Sequence, residues 1–354
     1  MRFFSKRAVT YKNFIRLLVA AAVLFGAFRA GFPPKRPISP VILLINRYPL
    51  QEDDKRFLKR INPYGFLLSI PIHPGMNTLE LKEELEEVLG RKDFLFFIDQ
   101  EGGAVNRLKH FISGFDAPAP QTFGELAKTD LNKAVRQVHE YGLRTGRALK
   151  ELGIDVVFAP LAEAASGDGI HHRSRYFSAD PAVAKALADA FAQGLDEGGV
   201  TPCYKHFPGA PSKTDSHKTA QRINDSPETL RTEKAPLFAN AARWNCIMTA
   251  HAVYPALDAK NASAYSPAFY RFLRKEVPFQ GLILPDALNM EAAEGGSASA
   301  GARMNKALAA GADAVMPFFN FSADPQDMEA EIRQISPVYV KRFQKRAGLL
   351  KRRN

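Results

Sequence analysis

The stretch KHFPGAPSKTDSH, residues 205–217, places two histidines, an aspartate and two lysines around a Pro-Gly break. A turn needs the Pro and Gly but not so many ionisable groups. A histidine titrates near 6.5, within reach of a neutral working pH. A carboxylate two residues away in a loop can orient the ring and stabilise its protonated form. Asp215 and His217 therefore read as an acid/base dyad carried on a loop, with Lys205 and His206 at the stem as hydroxyl-binding groups. The chemistry such a dyad suits is proton transfer to a leaving-group oxygen. Retaining glycoside hydrolysis sets an acid/base, usually a second carboxylate and here the dyad as candidate, against a fixed carboxylate nucleophile. Asp286 fits the role: it ends the apolar run GLILP and is followed by Ala287, Leu288 and Met290, which limit water access.

Two other chemistries fit less well. A metal-assisted hydrolysis would draw on His206, His217 and His251, but there is no His-x-His at the end of the first strand and no Cys/His pair at zinc spacing. Phosphate chemistry on a barrel would need a glycine-rich loop near the seventh or eighth strand, and LILPDALNM and AVMPFFNF supply none. No metal and no organic cofactor is expected.

The elements that must position these groups are eight short apolar runs: 40–46, 64–70, 94–99, 154–160, 200–206, 246–251, 281–286 and 312–317. Near-continuous apolar character predicts strands covered on both faces. Helical spacing recurs between them, at 79–89, 132–152, 181–198, 226–243, 266–276 and 299–311, often after a Ser-Pro, Asp-Pro or Ser start. Alternation of eight strands with helices predicts an α/β fold, a (β/α)8 TIM-type barrel forming a single catalytic domain over residues 40–338. Four runs end in an ionisable residue: Asp99, Lys205-His206, His251 and Asp286. Catalytic groups of such barrels sit at strand C-terminal ends, so these four should converge on one rim.

The chain is 46% hydrophobic and 24% charged, with a net charge of +11. Six basic residues and no acid lie in 1–30, and seven basic residues and no acid in 339–354. These thirteen exceed the whole net charge and leave the remainder at −2. The body is thus no nucleic-acid surface. Basic ends suit an anionic membrane face, and the expectation for 339–354 is a basic tail. At the other end, a basic region precedes the apolar run Leu17–Phe28 and a Pro-rich linker over 31–39. Residues 1–30 read as a secretory signal or a short signal anchor. Export to a periplasmic or other extracytoplasmic site follows, with membrane contact through this segment if it is retained. Cys203 and Cys246 sit in strand-like runs and read by default as buried free thiols, with a disulfide open.

Over residues 40–320 the sequence resembles the family 3 glycoside hydrolases, in the β-N-acetylglucosaminidase branch. Five motifs carry the resemblance: FFIDQEGGAVNRL, SRYFSADP, KHFPG with DSH, CIMTAHAVYPALD and LILPDALNM. The resemblance implies sugar binding by Asp99, Arg107, Arg175, Lys205 and His206. It implies Asp286 as nucleophile and His217, assisted by Asp215, as acid/base. It implies Met248 and His251 at the pocket floor. The substrate class would be terminal β-linked N-acetylglucosamine on peptidoglycan fragments or chito-oligosaccharides. A β-glucosidase, a phosphorylase of the same family and a non-catalytic sugar-binding barrel are the alternatives. The chain departs from the family pattern in three places. Ala210 to Thr214 replace the usual middle of the loop, which is one residue shorter; Pro285 and Ala287 flank the nucleophile; and FAPLAEA lacks the aspartate usual after the fourth strand. Glu101 reads as a partner of backbone, and His171-His172 as a solvated patch.

Overall fold

A computed structural model describes residues 36–45, 47–69, 76–165, 173–209, 221–288, 299–317 and 325–350. The apolar run Leu17–Phe28, His171-His172, and both Asp215 and His217 lie outside the described residues. Residues Met1–Pro37 form one unit and Ile38–Asn354 another. Among the described residues no helix is long and apolar enough to cross a membrane.

Seven of the eight apolar runs contain a parallel strand. The strands are β1 Ser39–Ile45, β2 Pro63–Leu68, β3 Leu95–Ile98, β4 Val156–Val157, β5 Thr201–Pro202, β6 Tyr204–Phe207, β7 Cys246–Thr249 and β8 Leu282–Pro285. β5 and β6 are two halves of one run, parted at Cys203 beside Pro202, which has no N–H for a ladder. Five strands pair in parallel in the order β1-β2-β3-β4-β5, and β8-β7-β6 form a second parallel group. The eighth run makes a bridge rather than a strand. The Asp313 N–H donates to the Ile283 carbonyl at 2.8 Å, and the Val315 N–H to the Pro40 carbonyl at 2.9 Å. The last run therefore lies between β8 and β1, and the architecture is α/β and TIM-barrel-like.

The helices are α1 Glu52–Ile61, α2 Thr78–Leu89, α3 Pro120–Ala127, α4 Leu131–Glu151, α5 Pro181–Glu197, α6 Pro267–Glu276, α7 Ala300–Ala310, α8 Pro325–Arg333 and α9 Pro337–Gln344. Their start signals work as caps: Asp180 accepts from the Ala182 N–H at 2.8 Å and Ser266 from the Phe269 N–H at 3.2 Å. The helix expected over 226–243 is irregular. One α turn gives way to π geometry at Leu230–Lys234 and then to 3-10 geometry at Ala235–Arg243. Pro236 lies at that last change and has no N–H for the ladder.

Two cores result. One packs the helices on the outside of the strands. The other packs on the opposite side of the strands, with Ile42, Leu67, Phe97, Phe158, Met248, Leu284 and their neighbours. Phe97 and Phe158 stack there, with centroids 5.4 Å apart.

Two expectations are corrected here. The stretch after 338 is not a solvated tail as far as Leu350. α9 turns Phe343 into the base of the inner core, edge-on to Tyr64 at 4.8 Å, and Leu350 joins it. Arg342 donates to the Ala312 carbonyl at 2.7 Å, and Arg346 pairs with Asp313 at 2.8 Å. The positive charge therefore fastens this segment to chain carbonyls and a buried carboxylate. The second correction concerns the cysteines. Cys203 and Cys246 are joined by a disulfide within the inner core, with Cα atoms 4.6 Å apart. Neighbouring positions on adjacent strands bring the two side chains together, which linear spacing cannot reveal. Closing a loop of 43 residues stabilises by about 4 kcal/mol in the chain-entropy account. Denatured protein should take up no thiol-alkylating reagent without reductant and two equivalents after reduction. The reduced form should melt at a lower temperature. Two reactive thiols before reduction would contradict the pairing.

Candidate active site

The catalytic candidates sit at the C-terminal ends of the strands. Asp99 follows β3 and opens a hairpin whose arms are Gln100–Gly102 and Val105–Asn106. Gly102 and Gly103 hold φ of 111° and 52°, a region that suits glycine. A Cβ on Gly102 would lie 2.3 Å from the Pro118 carbonyl oxygen. Alternation along an extended chain sends Asp99 and Glu101 to one side and Gln100 to the other. Gln100 there accepts from the Arg107 and Leu108 N–H groups at 2.7 and 3.0 Å, which pins the hairpin.

On the other side Glu101, 1% exposed, is the hub of a charge cluster. Arg175 donates to both its oxygens, at 2.8 Å each. Lys205 lies 2.6 Å from Glu101 and donates to Asp99 at 2.6 Å. Burial alone would raise the Glu101 pKa, but the charges of Arg175 and then Lys205 outweigh it and hold the carboxyl well below its usual range. For buried Lys205, desolvation is outweighed by Asp99 and Glu101, and its pKa rises. Glu101, Arg175 and Lys205 are therefore charged at neutral pH. The sequence reading of Glu101 as a partner of backbone is thereby corrected: its partners are cationic side chains.

His206 joins this cluster to Asp286. Its Nδ1 lies 2.8 Å from Glu163 Oε1, and its backbone N–H donates to the same oxygen at 3.0 Å. Nε2 faces Asp286 Oδ2 at 3.6 Å. Glu163 is 3% exposed at its side chain and lies in the segment after β4. It supplies a carboxylate where the sequence reading noted a missing aspartate. One methylene longer, it reaches the ring from the same stretch of chain.

Asp286 follows β8, its N–H donating to the Thr249 carbonyl at 3.1 Å. Its Oδ1 accepts from the Ala287 N–H at 2.7 Å, while its side chain remains 26% exposed. Burial works to raise its pKa, but His206, His251 and the Ala287 N–H together draw it below the ordinary aspartate value. The site thus presents an ionised, partly open carboxylate with one oxygen held and the other facing a histidine.

The remaining predicted residues are less central. His251 is 4% exposed. Its Nε2 lies 3.0 Å from the Ala287 carbonyl, so Nε2 carries the proton, and burial lowers its pKa. It braces the Asp286–Ala287 turn from behind. Met248 is 2% exposed and packs in the inner core. Arg107 makes no hydrogen bond or ion pair with Asp99, Lys205 or Asp286 among the described residues, and its buried Nε has no partner there.

The stems of the loop that carries Asp215 and His217 are both fixed. Gly209 accepts from the Tyr254 hydroxyl at 3.2 Å. Gln221–Arg222 pair in parallel with Ala252–Val253. Both stems therefore attach to the segment directly after His251, at the rim that bears Asp286.

Residues 78–337 match the model of the glycosyl hydrolase family 3 N terminal domain. A curated Beta-hexosaminidase of Chromobacterium violaceum is 29% identical over 308 residues, covering 85% of this chain and 83% of its own. One of Neisseria meningitidis serogroup B is 31% identical over 267 residues, covering 74% and 73%. Among solved structures, a family 3 beta-N-acetylglucosaminidase from a Paenibacillus species aligns with a TM-score of 0.75 at 22% identity. That alignment covers 88% of this chain but 60% of the longer Paenibacillus chain, and it speaks for the fold. With the family model spanning most of the chain and the strand-end carboxylates in place, this protein belongs to glycosyl hydrolase family 3 and is a glycoside hydrolase.

Proposed function

We propose that this protein is a retaining exo-β-N-acetylglucosaminidase. Asp286 is the nucleophile, and His217, assisted by Asp215, is the acid/base. The observation that carries the reading is the ionised Asp286 at the end of β8, with Oδ1 held by a backbone N–H and Oδ2 turned toward His206. Asp286 attacks the anomeric carbon while His217 protonates the leaving oxygen, giving a glycosyl-enzyme; His217 then takes a proton from water, which releases the sugar. Lys205 and Asp99 face the site as a donor and an acceptor for sugar hydroxyls, with Arg175 beside them and Arg107 from the hairpin. The strand ring is read as a closed (β/α)8 barrel forming one catalytic domain. The printed name of the curated relatives, Beta-hexosaminidase, supports a terminal β-linked hexosamine, and wall fragments or chito-oligosaccharides are the proposed carriers.

Export is part of the proposal. The basic and apolar N-terminal sequence supports it, and so does the inner disulfide, since such bonds persist in oxidising compartments.

The test is release of para-nitrophenol from the β-N-acetylglucosaminide and from the β-glucoside, with His217→Ala as the comparison. Preferential turnover of the acetamido sugar, lost in the variant, is expected. Equal turnover of both would make the protein a β-glucosidase. Binding of N-acetylglucosamine without turnover of either would make it a sugar-binding barrel.

A further inference from the structure

The end of the barrel opposite the catalytic rim carries its own pattern. There α9 and the segment to Leu350 close the inner core, and the chain enters the body at the same place. The Gln344 amide donates to the Ile38 carbonyl at 2.6 Å, and the Ile38 N–H returns to the Gln344 oxygen at 3.3 Å. Between Ile332 and Leu350 the sequence holds no carboxylate. Beside α9, an open depression of about 570 Å³ is lined by Arg271, Arg274, Lys275 and Arg342 with Tyr270 and Gly311.

The acids nearby are occupied. Asp313 is buried between Arg274 and Arg346, each at 2.8 Å. Glu276 lies 3.5 Å from Arg231 and 3.9 Å from Lys275. Glu329 holds Arg60 and Arg333, each at 2.6 Å, and Glu331 accepts from the Gly301 N–H at 2.6 Å. Arg271, Lys341 and Lys345 are exposed, and none pairs with a carboxylate among the described residues. The same segment also exposes apolar side chains: Val338 is 69% and Leu349 36% exposed. Exposed cations interleaved with exposed apolar groups are what an anionic bilayer surface takes up.

We infer that this base is a docking face for an anionic lipid bilayer, its cations meeting phosphodiester headgroups and Val338 and Leu349 entering the interface. The N-terminal sequence agrees. Only nine residues separate the apolar run ending at Phe28 from Ile38, a tether of roughly 30 Å at full extension. A base held at the bilayer turns the catalytic rim, at the other end of the strands, away from it and toward extracytoplasmic glycans. The inference is independent of the glycosidase reading.

The test uses the full chain with vesicles of phosphatidylcholine and with vesicles containing about 30% phosphatidylglycerol. The readout is amide hydrogen exchange across residues 337–350. Exchange there should slow at least severalfold with the anionic vesicles only. High salt and the triple substitution Arg271→Gln, Lys341→Gln and Lys345→Gln should each abolish the slowing. Three lost cations at the surface correspond to as much as a hundredfold in affinity. Val338→Asp should weaken protection without changing its salt dependence. Far-UV circular dichroism and melting temperature should be unchanged in these variants, which verifies their folding. Flotation with pure phosphatidylcholine reports the apolar run alone, so a failed anchor and a failed docking face give different results. Equal exchange with both vesicle types, or protection that survives the triple substitution, would overturn the inference.

Discussion

Asp286→Asn is expected to lower turnover of the β-N-acetylglucosaminide by about four orders of magnitude, or ~5.5 kcal/mol of transition-state stabilisation. The substitution is isosteric. The Asn oxygen can still accept from the Ala287 N–H that now holds Oδ1 at 2.7 Å, so the turn after β8 should keep its shape. What disappears is the anion proposed to attack the anomeric carbon. Sugar affinity should change little, because the hydroxyl-binding groups around Lys205 are untouched, and the loss should fall on kcat rather than on binding. Stopped assays for activity and calorimetry for N-acetylglucosamine binding separate the two. A loss below tenfold would remove Asp286 from the nucleophile's role. The pH profile adds a check. The active form is the carboxylate, and its pKa lies below the ordinary 3.8 because His206, His251 and the Ala287 N–H outweigh burial. Near neutral pH His251 contributes a dipole rather than a charge, since burial keeps its ring neutral. Protonation of the nucleophile should therefore set no limit on kcat/KM until the pH falls below about 3.8.

The strand ends were legible because one rule covers them: an apolar run that stops at an ionisable residue delivers that residue to the rim. Asp99, Lys205, His206 and Asp286 were found this way, and the structure brings all four within one chain of contacts. Glu101 and Glu163 fall outside that rule. Glu101 stands two residues after Asp99 and so shares its face, a period-two argument available from sequence. What sequence could not show is that Arg175, 74 positions away, lies across from it. Glu163 lies three residues past Pro160, beyond the end of the apolar run, where the strand-end rule does not reach. The disulfide and the burial of α9 share another cause. Both are tertiary: the pairing of β6 with β7 sets Cys203 beside Cys246, and Phe343 and Leu350 complete the inner core. Local charge in 339–350 said only that the segment was basic. Its carbonyl and Asp313 partners are tertiary.

Glu101→Gln should be the most destabilising single change at the site. Gln keeps the volume and one acceptor but removes the anion between two cations. Lys205, 2% exposed, would retain only Asp99, and the Arg175 guanidinium would lose its two-oxygen partner and keep only the charge of Glu163 nearby. Removing one partner of a buried ion pair costs about 3–5 kcal/mol, since the charge left behind cannot return to water. The linkage to pH has a definite sign. The folded-state pKa of Glu101 is depressed, so its contribution is fully present above the unfolded value near 4.5 and declines as the pH falls below it. Denaturant titrations at pH 7 should therefore separate wild type from Glu101→Gln by the full amount. Titrations on the acid side of 4.5 should bring the two curves together. The double variant Glu101→Gln with Lys205→Met distinguishes a charge effect from lost packing. Taking both charges out should recover roughly 2 kcal/mol of the loss, as a coupled pair does and independent sites do not. Turnover would not recover with it, because Lys205 is also proposed to hold the sugar. A single substitution costing under about 1 kcal/mol at pH 7 would mean that Asp99 alone sustains Lys205. Glu101 would then be left with the narrower task of holding Arg175 in place.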